Sequence, residues 1–203
     1  ELAAKWFQEN SLSPAQGMVA VTASPFNARQ WGVDESRIFS FDSGVGGRFS
    51  LWSAVGLPAM IAVGSDAFAS LMAGAYSMDR HLLETPYARN IPIIMGLLRV
   101  WHRSYLGRSS YGLMPYDQRL ARLPAWVQQL EMESNGKSVD RQGESLDAPA
   151  GPLIWGEAGT SCQHSFFQWL HQSVDVVPVD IMVALKSDTV FNDEEWDNSQ
   201  KML

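Results

Sequence analysis

Cysteine is nearly absent from the sequence, with one residue, Cys162, among 203. A single thiol excludes an intrachain disulfide and any zinc site built on cysteine pairs. It fits a reducing compartment. Charge is sparse and leans acidic, with 15 Lys+Arg against 22 Asp+Glu for a formal −7. That balance disfavours nucleic acid or an anionic membrane as the main partner, while leaving room for a local basic site that takes a phosphorylated small molecule. Long hydrophobic runs are missing too. A membrane-spanning helix takes roughly 20 mostly apolar residues. Residues 54–64 run into Ser65-Asp66, and residues 91–101 contain Arg99, so both are too short and are expected to be buried helix segments of a soluble protein. The first ten residues lack the basic start and apolar core of a signal peptide. Leu2, Ala3, Trp6 and Phe7 lie at helical spacing with no N-cap before them, as if the chain opened inside a helix. Repeats and low-complexity segments are also missing.

What is present is an aromatic-rich globular composition. Eight Trp, nine Phe and five Tyr within 46% apolar residues predict a core dominated by ring packing. The length allows one or two domains without disulfides. Residues 18–23 and 37–41 are short apolar runs with β-branched residues and read as buried strands, with a turn or short helix over 27–35 between them. A glycine-rich turn, residues 42–48, opens a helical block over about 49–106, which Pro58, Pro86 and Pro92 divide into about three helices. Residues 111–114 read as a strand. Pro115-Tyr-Asp starts a helix that runs to about Ser134, where Asn135-Gly136 stops it. Residues 137–150 form a polar loop or hairpin, and 152–155 a strand. Thr160-Ser-Cys-Gln163 resembles a capping box opening a helix to Gln172. Residues 176–185 are a strand, 193–197 an acidic loop, and 199–203 the start of a helix. Strands alternating with helices predict an α/β fold with parallel sheets. The helical block splits the strands into two groups, which predicts parts of two α/β units.

Three constellations could carry chemistry. In Val45-Gly-Gly-Arg-Phe-Ser50, two glycines after a strand let backbone approach a ligand, a helix start points N–H groups at it, and Arg48 adds a planar cation. The motif suits a phosphate or a developing oxyanion. A tight turn with a solvated arginine fits the spacing equally well. In the second, Trp126, Gln129 and Glu133 share a helix face beside the apolar stripe of Leu120, Leu123, Val127 and Leu130. Glu133 therefore sits at the edge of a buried stripe near a helix C-terminus, where the dipole and partial burial raise a carboxyl pKa toward that of a general base. On spacing alone, a surface glutamate on a frayed turn is the simpler reading.

The third is Gly151-Pro-Leu-Ile-Trp-Gly-Glu-Ala-Gly-Thr-Ser-Cys-Gln-His164, again strand, glycine loop and helix start. His164, Gln168 and His171 share a face, a weak metal set without a carboxylate or cysteine. His164 near the helix start is biased toward the neutral form, although a core histidine fits the spacing better. Cys162 lies in the first turn, where a thiol pKa is lowered. It is two residues from His164, so the side chains diverge and a Cys–His nucleophile pair is disfavoured. His81 and His102, in apolar-periodic helices, read as structural.

In series, these segments resemble the glucose-6-phosphate isomerase (phosphoglucose isomerase) family. Val45-Gly-Gly-Arg-Phe-Ser-Leu-Trp-Ser-Ala-Val-Gly56 resembles one signature. Gln128-Gln-Leu-Glu-Met-Glu-Ser-Asn-Gly-Lys137 resembles the catalytic-base segment. The stretch from Gly151 through His164 to Val177-Pro-Val-Asp180 resembles the histidine segment.

The resemblance implies parts of two sugar-isomerase (SIS) domains, flavodoxin-like three-layer sandwiches. Residues 1–108 would hold the rear of the first domain with connecting helices, and 109–203 the front of the second. It implies reversible aldose–ketose isomerisation of glucose 6-phosphate and fructose 6-phosphate, in glycolysis and gluconeogenesis, in the cytoplasm, with no metal or cofactor. Glu133 matches the base that moves a proton between C1 and C2, and Arg48 the cation that stabilises the cis-enediol(ate). His164 matches the ring-opening residue, donated to the partner's site in a homodimer. Gly47 and Gln129 match residues lining the sugar-phosphate pocket. Ala158, Ser161 and Cys162 depart from the Pro, Asn and Gly usual in the family, so the histidine loop is expected to differ in rigidity, with Cys162 crowding it. The family's phosphate-binding segment would precede Glu1 and its lysine motif would follow Leu203, so the chain is expected to be a central fragment, inactive alone. Two other readings stand beside this one: a non-catalytic sugar-phosphate-binding SIS module, which would need no base, and a weaker Cys162-dependent hydrolase.

Overall fold

The structure, a computed structural model, describes residues 2–184. The expected acidic loop at 193–197 and helix at 199–203 lie outside the described residues. The chain forms two compact units that part between Pro86 and Tyr87, inside the long helical block.

In the first unit, α1 (Leu2–Glu9) and the single turn α2 (Pro14–Gly17) lead into β1 (Ala20–Thr22). A crossover through α3 (Pro25–Gln30) returns the chain to β2 (Ile38–Ser40). The two strands pair in parallel, Ala20 opposite Ile38 and Thr22 opposite Ser40. Proline at the first helical position of α3 needs no N–H partner and brings a preset φ. Ala28 and Val33 are buried in this crossover. Asp34 caps the 3₁₀ turn Glu35–Arg37, accepting from the Ser36 N–H.

The glycine turn does not open an α-helix directly. Two 3₁₀ turns, Gly47–Trp52 and Ala54–Gly56, come first. The Ser50 hydroxyl donates to the Gly47 carbonyl at 2.5 Å, and the Ser53 hydroxyl to the Ser50 carbonyl at 2.6 Å. Such three-residue side-chain links compete with the α-helical ladder. Regular helix begins at α4 (Leu57–Val63) and continues, after Gly64, in α5 (Ser65–Glu84).

The second unit begins with α6 (Ile91–Val100), capped by the Asn90 side chain, and a π-helical turn, Trp101–Tyr105. Then come β3 (Ser110–Tyr116), α7 (Leu123–Gln128), a second π-helical turn (Gln129–Glu133), β4 (Leu153–Trp155), α8 (Ser161–Gln172) and β5 (Val179–Val183). The strand order is β4-β3-β5, all parallel, in agreement with the expected fold class. Gly112 to Pro115 are all buried, the pattern of a central strand covered on both faces. Arg103 belongs to this unit, its Nε donating to the Gly151 carbonyl at 2.9 Å.

Three expectations are corrected. Residues 54–64 and 91–101 are helical but not buried: Ile61 is 74% and Leu97 66% exposed. α4 packs on α5, and the remaining apolar side chains of both runs stay exposed. Second, Pro115 does not start a helix, because β3 runs on through Tyr116. Pairing with β4 ends at Gly112 opposite Trp155, so on that side Pro115 has no ladder N–H to supply. Its carbonyl accepts the Gly159 N–H instead, at 2.9 Å. Third, Thr160 makes no side-chain cap bond to α8.

Glycine is required where β4 meets β3. Gly156 has φ +148°, and a Cβ there would lie 1.9 Å from the Leu113 carbonyl oxygen. Gly156→Ala is expected to destabilise the fold by about 2–4 kcal/mol, from backbone strain and overlap combined. Urea denaturation measures it, and a change under about 0.5 kcal/mol, the range of an ordinary surface substitution, would contradict this packing.

Candidate active site

Gly47 and Arg48 stand in the first unit; Gln129, Glu133 and His164 stand in the second. Gly47 has φ +62°, the left-handed region that glycine enters without strain. Arg48 is half-buried, its guanidinium carbon 5.8 Å from the Phe49 ring centroid. That contact holds the cation beside an aromatic face at the start of the 3₁₀ turn.

The carboxylate segment departs from a regular helix where the chemistry was expected. α7 gives way at Gln129 to the π-helical turn that ends in Glu133. A π turn takes an extra residue per turn, so the 3.6-residue period used to place Glu133 at the edge of the buried stripe fails here. Glu133 is exposed, which corrects the partial burial expected for it, and Gln129 is exposed as well. The Lys137 ammonium donates to the Glu133 backbone carbonyl, a cation on the last carbonyls of the turn.

Edge strand β4 anchors this turn. Ile154 is fully buried. Its carbonyl accepts from Gln128 Nε2 at 3.0 Å, and its N–H donates to Met132 Sδ at 3.4 Å. The outer edge of β4 is thus occupied by side chains of the carboxylate segment. Glu131, two residues before Glu133, is bound through both oxygens. Oε2 lies 3.0 Å from Arg99 Nη1, and Oε1 accepts from Asn135 Nδ2 at 3.0 Å. Arg99 lies 4.6 Å above the Tyr111 ring. Burial first, then the hydrogen bond to the Asp180 carboxylate and its charge, raise the Tyr111 phenol above the usual tyrosine range, against the pull of Arg99. One sign of this cluster is visible in the sequence, an arginine inside the apolar run 91–101. Its partners, 12 or more residues away, left none.

The histidine loop docks on the end of β3. Gln163 Nε2 donates to the Tyr116 hydroxyl at 2.8 Å. Gly159 packs so closely on the Tyr116 ring that a Cβ would meet it at 2.4 Å. His164, in the first turn of α8, is exposed rather than in the core. Ala158 and Cys162 are buried. Cys162 corrects the expectation of a lowered thiol pKa: burial, then the charge of Glu157, raise it. His81 meets Thr85 Oγ1 through Nδ1 at 3.1 Å, as a structural residue would. Among the described residues no group of three His, Cys, Asp or Glu could hold a metal ion, and no helix is long and apolar enough to cross a membrane. Two hollows of about 380 and 330 Å³ flank the Asn135 end of the turn, and neither is lined by Gln129, Glu133 or His164.

Parallel sheets flanked by helices, with glycine-shaped loops at strand ends, define an α/β protein, and comparison with known proteins carries the assignment further. The phosphoglucose isomerase family model matches residues 1–203, and the chain belongs to that family. A glucose-6-phosphate isomerase of Chelativorans sp. (strain BNC1) is 50% identical over 186 residues, 91% of this chain and 34% of that protein. One from Brucella ovis is 45% identical over 205 residues, covering 100% of this chain and 37% of its own. The crystal structure of a glucose-6-phosphate isomerase from Chlamydia trachomatis superposes with a TM-score of 0.82 at 35% identity, over 99% of this chain and 40% of that one. The chain spans about a third of the length of the curated relatives it matches.

Two measurements check these environments. Cys162 is expected to resist a thiol reagent at neutral pH in the folded chain and to react once denaturant unfolds it; rapid native labelling would contradict its burial. Tyr111 is expected to ionise above the usual tyrosine range when phenolate absorbance is followed, and Tyr111→Phe should remove that step. Because folding raises this pKa, its contribution to stability is full below about pH 10 and is lost as pH rises through the folded value.

Proposed function

We propose that the protein carrying this chain catalyses the reversible isomerisation of glucose 6-phosphate and fructose 6-phosphate through a cis-enediol(ate). The observation that carries the reading is the family match along all 203 residues; Arg48, Glu133 and His164 lie in the segments that resemble the family's motifs. Glu133 and His164 are exposed residues, as a substrate-facing role requires.

In this reading Glu133 takes the proton from C2 of the open-chain aldose and returns it to C1. The C2–H electron pair becomes the C1–C2 double bond and the aldehyde oxygen takes up negative charge; as C1 is reprotonated, O1 gains a proton and O2 loses its own to become the ketone oxygen. Arg48 stabilises that charge, and a cation fixed in advance costs no reorganisation as the charge develops. His164 transfers the proton that opens the sugar ring, in the site of the partner subunit of a homodimer. Gly47 and Gln129 line the pocket. Residues 1–108 are the rear of one SIS domain with its connecting helices, and residues 109–203 the front of the next. The setting is the cytoplasm, in glycolysis and gluconeogenesis.

The test uses the full-length protein on fructose 6-phosphate in D₂O. Glucose 6-phosphate should form with deuterium at C2. Glu133→Gln should lower kcat by about 10²–10⁴-fold while sugar-phosphate binding persists. Arg48→Ala should cost about 10²–10³-fold. Binding without turnover in the folded wild type would replace this reading with that of a non-catalytic SIS module.

A further inference from the structure

Glu131 and Glu133 lie two residues apart on one π-helical turn, yet their surroundings are opposite. The Glu131 side chain is 20% exposed and faces a 22% exposed Arg99, while Glu133 is exposed. Both oxygens of Glu131 are occupied, by Arg99 and by Asn135, two residues past the turn. Arg99 is itself held from the other side by the Tyr111 ring on central strand β3. One side of the turn is therefore tied to the sheet through two contacts in series, Glu131 to Arg99 and Arg99 to Tyr111.

We propose that Arg99 is a positioning residue for Glu133: by holding the Glu131 carboxylate inward, it sets the rotational phase of the turn and so the direction in which Glu133 projects. The proposal rests on the reading of Glu133 as the base. A π turn is a wide, uncommon element that recurs at functional sites, and an unclamped turn could offer either glutamate outward. The two carboxylates are chemically alike, so the difference must come from what each is bound to. Arginine suits the task because its planar fork can pair with a carboxylate while its face stacks on an aromatic ring. A base must also stay aligned within a fraction of an ångström, since a misplacement of about 1 Å can cost about 10²-fold in rate.

The test compares wild type, Arg99→Met and Glu131→Gln in the full-length protein. Amide hydrogen exchange across residues 129–136 reads the clamp without reference to catalysis. It should speed up about tenfold in Arg99→Met, with β3 unchanged; unchanged protection in that segment would overturn the proposal. In steady-state kinetics Arg99→Met should lower kcat by about 10–10²-fold with KM within about twofold. Adding Glu131→Gln to Arg99→Met should cost little more, because residues acting as a unit are not additive. A lowered Tm with unchanged kcat per folded molecule would make Arg99 merely structural and overturn the proposal. If Arg99→Met does not fold, Glu131→Gln and Arg99→Lys carry the same readouts. A wild type that puts no deuterium into C2 would sink the isomerase reading instead, while the exchange experiment still decides whether Arg99 clamps the turn.

Discussion

Met114 is fully buried at the centre of β3, with Leu113 and Pro115 buried on either side of it, and the second unit is assembled outward from that strand. β4 and β5 pair with it. The Leu113 carbonyl sets the shape of the chain at Gly156, the Pro115 carbonyl takes the Gly159 N–H, and the Tyr116 hydroxyl takes Gln163. The loop that leads to His164 is thus fixed at three successive points along one strand. A histidine on such a loop can be exposed and still be held in place, because the restraint comes from the backbone around it.

The carboxylate segment is restrained differently. β4 is an edge strand, and an edge offers unpaired N–H and C=O groups that need partners. Gln128 and Met132 supply them at Ile154. The same contacts that blunt the edge seat the turn carrying Glu133. Arg99 and Glu131 add a charged tie on a second side, half-buried, where pairing is screened less than at an open surface. Stability and site geometry here draw on the same few interactions.

Under the proposed activity these restraints have a purpose. Isomerisation through an enediolate needs a carboxylate whose position survives both proton transfers and a cation already in place for the oxyanion. Two π-helical turns, at residues 101–105 and 129–133, bracket β3 in sequence. Both carry side chains that reach across to other elements, Arg103 to Gly151 from the first and Met132 to Ile154 from the second.

Periodicity and punctuation in the sequence were enough to establish parallel α/β architecture, five strands within a residue or three of their places, and the glycines at loop positions. These follow from local rules: apolar runs pair, prolines interrupt, glycines turn. The motif positions of Arg48, Glu133 and His164 were legible for the same reason, since a motif is contiguous. Tertiary structure alone decided the rest. It exposed Glu133 by inserting a π turn that no 3.6-residue pattern anticipates, continued β3 through Pro115 because β4 ends early, and raised rather than lowered the Cys162 thiol because burial outweighs a helix start. It also joined Arg99, Tyr111 and Glu131. Each of these outcomes depends on a neighbour distant in sequence, and that pairing exists only once the chain has folded.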